Sequence, residues 1–85
     1  MRKTARVHHY KVIVERGEDG YFIARVPALP GCLTQAETYE ELMRRVKEGI
    51  QLCLEVAELD TRYRRKVNVA YEPTFIGIEE IAVAV

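Results

Sequence analysis

No stretch of this sequence approaches the roughly 18–20 consecutive apolar residues that span a bilayer, and the basic start is not followed by the apolar core of a secretory signal. Neither charge is in excess: 13 basic residues stand against 13 acidic ones, for a formal net charge of zero. Nucleic-acid binders usually carry a basic surplus, so the totals argue against that class. Cysteine is scarce. Cys32 and Cys53 form no CxxC pair, and outside a secretory context both are expected to stay reduced in a cytoplasmic protein. There is no internal repeat and no low-complexity segment. A glycine-rich phosphate loop is missing too, since Gly17 and Gly20 flank a turn and Gly31 follows a proline.

What is present reads as one small domain, residues 1–85, with 48% hydrophobic and 31% charged residues. A chain of this size buries only roughly 60–65% of its unfolded surface, which makes self-association a natural supplement to its core. The basic residues gather in two places: an N-terminal arm, residues 1–6, holding Arg2, Lys3 and Arg6, and a polar linker, residues 60–66, holding Arg62, Arg64, Arg65 and Lys66. Both read as solvated segments rather than phosphate grips.

Residues 7–15, VHHYKVIVE, are rich in β-branched and aromatic side chains, with Tyr10, Val12 and Val14 on one face at period two. Asp19-Gly20 supplies the turn, and residues 21–26, YFIARV, return as the second strand of a hairpin. On that strand Phe22, Ala24 and Val26 share one face, and Tyr21, Ile23 and Arg25 the other. Pro27 and Pro30 cannot donate to a ladder and so end the strand, while Gly31 permits the reversal into a third, CLTQAE. Thr38 and Glu41 form a capping box. The helix they open has an apolar face of Tyr39, Leu42, Met43, Val46, Ile50, Cys53, Leu54 and Ala57, and it runs to about Leu59. On its charged face, Glu40 with Arg44 and Glu41 with Arg45 are acid-before-base pairs four apart. The alternating EEIAVAV at the end reads as a last strand with Ile81, Val83 and Val85 on one face. The expected fold is α+β, in the order β-β-β-α-β: an antiparallel three- to four-stranded sheet with one long helix across one face.

No catalytic constellation emerges. His8 and His9 are neighbours on a strand, so they point to opposite faces and cannot chelate one metal together. Cys53 sits on the apolar helix face as a small buried thiol, and Cys32 has no histidine near it in sequence. The expectation is a protein that is not an enzyme and takes no cofactor or metal. One helix covers only one sheet face, which leaves either Tyr21 and Ile23 or Tyr10 and Val12 outward and predicts a homodimer, or a higher homo-oligomer, built on sheet edges or on that face. The loop PALPGC has two readings, a rigid connector or a low-entropy platform for a partner. The candidate partner surface is Tyr21, Ile23, Pro27, Leu29 and Pro30.

The joined pattern VIVERGEDGYFIARVPALPGC, TQAETYEEL and VKEGIQLCLEVAE resembles the HicB antitoxins and their stand-alone relatives, closely over residues 10–58 and loosely over the last strand. The resemblance implies a partial, degenerate ribonuclease H-like domain. It also implies neutralisation, by protein–protein contact, of HicA, a small mRNA-cleaving toxin with a catalytic histidine. Full-length members add a DNA-binding segment. Only about 25 residues follow the helix here, so no C-terminal DNA-binding domain and no direct DNA binding are expected. Nucleases of the ribonuclease H fold hold two metals on acids of the first strand, where this chain reads Val12-Ile13-Val14 with Glu15 only at its end. The alternative to a toxin-neutralising role is an orphan, self-associating regulatory or scaffold module that binds nucleic acid or another protein. A small, basic neighbouring reading frame would separate the two.

Overall fold

The computed structural model describes residues 7–85, and the expected basic arm, residues 1–6, lies outside them. Three strands, β1 (Ile13–Arg16), β2 (Phe22–Arg25) and β3 (Leu33–Ala36), are followed by two helices, α1 (Tyr39–Leu59) and α2 (Thr61–Val69). The sheet is an antiparallel meander in the order β1-β2-β3. The α+β class and the three-stranded antiparallel sheet are as expected, whereas the ribonuclease H-like description fits only loosely.

The β1–β2 connection follows from its residues. The Gly20 N–H donates to the Gly17 carbonyl (3.0 Å), the Gly17 N–H donates to the Tyr21 carbonyl (2.9 Å), and Gly20 takes φ +85°. The Asp19 side chain adds a local bond by accepting from the Tyr21 N–H at 3.1 Å. β1 is much shorter than the expected 7–15. It pairs Ile13 with Arg25 and Arg16 with Phe22, and β2 stops just before Pro27, which has no N–H to offer anything further upstream.

The pairing also decides which face is inside. Val14, Ala24 and Thr34 lie side by side, as do Arg16, Phe22 and Ala36, and α1 packs over this side of the sheet. The core consists of Ala24, Val26, Leu29, Cys32, Ala36, Leu42 and Val46, with Tyr10, Val12, Phe22, Met43, Ile50, Cys53, Leu54 and Val67 packed around it. Tyr10 and Val12 are therefore core neighbours. The outer face carries the two rows Ile13, Arg25, Leu33 and Glu15, Ile23, Gln35.

Thr38 caps α1, its Oγ accepting from the Glu41 N–H at 3.2 Å. The Glu41 carboxylate instead meets Arg44 and, at 3.0 Å, Arg45, and the Arg44 bond holds its pKa below the usual glutamate value. The expected pair Glu41 with Arg45 forms, but Arg44 turns to Glu41 and to Glu48 (3.3 Å) rather than to Glu40.

Two expectations are overturned beyond Leu59. Residues 60–66 are not a linker. Asp60 ends α1 by donating its N–H to the Val56 carbonyl (2.7 Å), and its carboxylate caps α2 by accepting from the N–H groups of Arg62 (2.8 Å) and Tyr63 (3.3 Å). The Arg64 guanidinium then closes the end of α1, donating to the carbonyls of Ala57 (2.8 Å) and Glu58 (2.7 Å). Four cations within five residues are helical here because one aspartate serves both helix ends and Val67 reaches the core. Residues 70–85 form no strand, so the order is β-β-β-α-α and not β-β-β-α-β. Alternation is not sufficient for a strand, which needs a ladder partner, and the segment has none within the described chain.

Candidate functional site

The interruption at residues 26–32 is two successive turns. The Leu29 N–H donates to the Val26 carbonyl and the Cys32 N–H to the Leu29 carbonyl, both at 3.0 Å, while the Val26 N–H closes the loop onto the Cys32 carbonyl at 3.1 Å. Pro27 and Pro30 each occupy the second position of a turn, where a fixed φ helps and no N–H is needed. Gly31, at φ +77°, takes the left-handed position that follows Pro30. Leu29, at the junction of the turns, is 1% exposed and anchors the loop in the core. As a partner contact it is therefore corrected: its side chain is floor, not surface. Pro27 and Pro30 are half-buried above it.

α2 holds the loop from the other side. The Tyr63 hydroxyl donates to the Pro30 carbonyl at 2.8 Å, and burial, followed by the neighbouring Cys53 and Cys32 thiols, raises the Tyr63 pKa. Beneath the loop, burial pushes the Cys32 thiol up to about 11, with Cys53 adding to the rise. A thiol so placed is inert at neutral pH. Gly49 faces the loop here, and a Cβ there would make an ordinary van der Waals contact, 3.7 Å from the Cys32 sulfur.

The loop opens onto the outer face. A concavity of about 540 Å³ is lined by Pro27, Leu29 and Pro30 together with Ile13, Arg25, Leu33, Pro73 and Phe75. The structure thus brings three of the five sequence-chosen residues together and leaves the other two apart from them. Ile23 lies in the outer-face row next to that of Arg25, between Glu15 and Gln35. Tyr21 sits by the hairpin turn, where its hydroxyl donates to the Glu37 carboxylate at 2.9 Å, a bond that raises its pKa. Ile13, Leu33, Pro73 and Phe75 were missed. The strand register would have placed the first two, whereas nothing in the local pattern places the last two.

The outer face has one carboxylate on the first strand, and it is occupied: Glu15 accepts from Arg25 at 2.7 Å. Among the described residues no group of three or more His, Cys, Asp or Glu side chains is placed to hold a metal, and no helix is long and apolar enough to cross a membrane. The arrangement offers a rigid, mostly apolar rim with an arginine at its centre, a surface suited to contact.

Residues 10–78 match the family described as HicB_like antitoxin of bacterial toxin-antitoxin system. The chain belongs to the HicB-like antitoxin family. A UPF0150 protein of Archaeoglobus fulgidus is 45% identical over 74 residues, which are 87% of this chain and 93% of the relative. A second, from Synechocystis, is 40% identical over the same shares. A third, from Thermoplasma acidophilum, is 48% identical over 46 residues, 54% of this chain and 67% of the relative. No solved structure matches.

Proposed function

We propose that this chain is a non-catalytic antitoxin that binds and neutralises a small HicA-like mRNA-cleaving toxin by direct contact. The observation that carries the reading is the family match over residues 10–78, which spans the outer face and the proline loop together. The site's chemistry supports it. The first strand has a single carboxylate, already paired with Arg25, and among the described residues no group of three or more acids, histidines or cysteines is placed to form the two-metal arrangement of a ribonuclease H-type nuclease. The contact surface in this reading is the concavity rimmed by Pro27 and Pro30 and floored by Leu29, extended along β2 by Ile23, with Tyr21 at its far end. Two prolines and two hydrogen-bonded turns fix that rim before a partner arrives, so little ordering entropy is lost on binding.

The test is a search beside the gene for a small basic reading frame, followed by co-expression of this chain with it. Growth arrest caused by that neighbour alone, relieved when this chain is present and accompanied by co-purification, is the expected result. Unrelieved arrest, or a neighbour that is harmless, contradicts the reading.

A further inference from the structure

Residues 75–85 carry apolar side chains that the chain itself does not cover: Ile76, Ile78, Ile81 and Val83 are 99, 97, 82 and 74% exposed. The radius of gyration is 16.1 Å, where a compact chain of this length has about 12 Å, as a body with a projecting arm would give. The sequence of the arm encodes a strand, and among the described residues no strand pairs with it.

Two sheet edges exist. That of β3 is guarded, because the Arg45 guanidinium takes the Gln35 carbonyl at 2.9 Å. Along the edge of β1 runs a groove of about 620 Å³, walled by Val12, Ile13 and Val14 on one side and by the root of the arm, Phe75, Ile76 and Ile78, on the other. The root is held there by Glu72, whose carboxylate accepts from the Lys11 backbone N–H (3.2 Å) and ammonium (3.3 Å).

We infer that the groove receives residues 81–85 of a second copy, laid on β1 as a fourth strand, and that two copies exchange arms reciprocally. An arm could enter its own groove only by reversing between its root, already the far wall, and residue 81. That leaves Glu79 and Glu80 as the turn, where a two-residue reversal calls for glycine, asparagine or aspartate. A second copy needs no such turn. Reciprocal exchange closes a two-fold dimer and satisfies both a strand lacking a ladder and an edge lacking a cap. Three large side chains on each inserted segment, Ile81, Val83 and Val85, at roughly 100 Å² apiece, remove about 600 Å² over the two copies, and the groove walls they cover add about as much again, which reaches the lower end of a stable interface. The inference does not depend on a toxin.

Light scattering on the full chain at micromolar concentration tests it, together with Val83→Asp, a change at an exposed site that leaves the core intact. The expected masses are about twice 9.8 kDa for the natural chain and 9.8 kDa for the variant. Mixing chains carrying Val14→Cys with chains carrying Val83→Cys under mild oxidation should join positions 14 and 83 between chains. A monomeric natural chain overturns the inference. So does a Val83→Asp chain that remains dimeric, or, in a chain carrying both cysteines, a 14-to-83 link found only within single chains.

Discussion

The Tyr63 hydroxyl and the Pro30 carbonyl lie 2.8 Å apart and 33 positions apart in sequence, so the second helix fixes the loop between the second and third strands. Tyr63→Phe removes this bond and leaves the Pro30 carbonyl short of a partner. Such a loss costs about 1 kcal/mol. In a domain of this size that lowers Tm by roughly 4–8 °C. Thermal melting followed by circular dichroism reads it, and an unchanged Tm would mean that the loop holds its shape without α2.

Leu42 is fully buried and Val46 nearly so, and the two meet the sheet where Ala24 and Ala36 give the helix room. Leu42→Ala is expected to cost about 2–5 kcal/mol. Val46→Asp buries an unpaired carboxylate and costs several kcal/mol, against a total stability of about 5–15 kcal/mol. Urea titration should find the first variant clearly weakened and the second largely unfolded. A midpoint near that of the parent for Val46→Asp would place the helix on its wrong face.

Cys32 makes stability fall with rising pH. Its thiol titrates near 11 when folded and near 8.5 when unfolded, so the folded state is the poorer acid. The contribution is therefore intact below about pH 8.5 and is lost as pH climbs from there toward 11. Urea midpoints at pH 7.5 and pH 10 should differ, with the alkaline value lower. At pH 8 a thiol reagent should leave Cys32 unmodified until denaturant is added. Rapid native labelling of Cys32 would show that the loop opens freely.

How much of this was readable from the residues varies along the chain. Asp19-Gly20, the two prolines and the Thr38 cap are local signals, because each acts on backbone within three or four positions, and they located the hairpin, the loop and α1. The second helix was legible in part. Asp60 is a good N-cap residue, but the apolar face behind it is only Tyr63 and Val67, and four cations hid that spacing. The final strand failed for a different reason. Ile81, Val83 and Val85 state a preference for extended backbone, whereas pairing is decided by which edge lies within reach. The partner surface divides the same way: Pro27 and Pro30 were visible as local rigidity, but their neighbours Pro73 and Phe75 arrive from the far end of the chain.

The central claim is that this molecule works by covering a toxin and does no chemistry itself. The most direct measurement mixes the purified chain, in rising amounts, with a purified HicA-like toxin from a small basic reading frame found beside the gene, and follows cleavage of an mRNA. The account predicts that cleavage stops once the chain reaches stoichiometric amounts, that Ile23→Asp shifts this end point to higher concentration, and that the chain alone cleaves nothing when magnesium or manganese is added. Cleavage that continues undiminished in excess chain, or metal-dependent cleavage by the chain that is lost in Glu15→Gln, would contradict it.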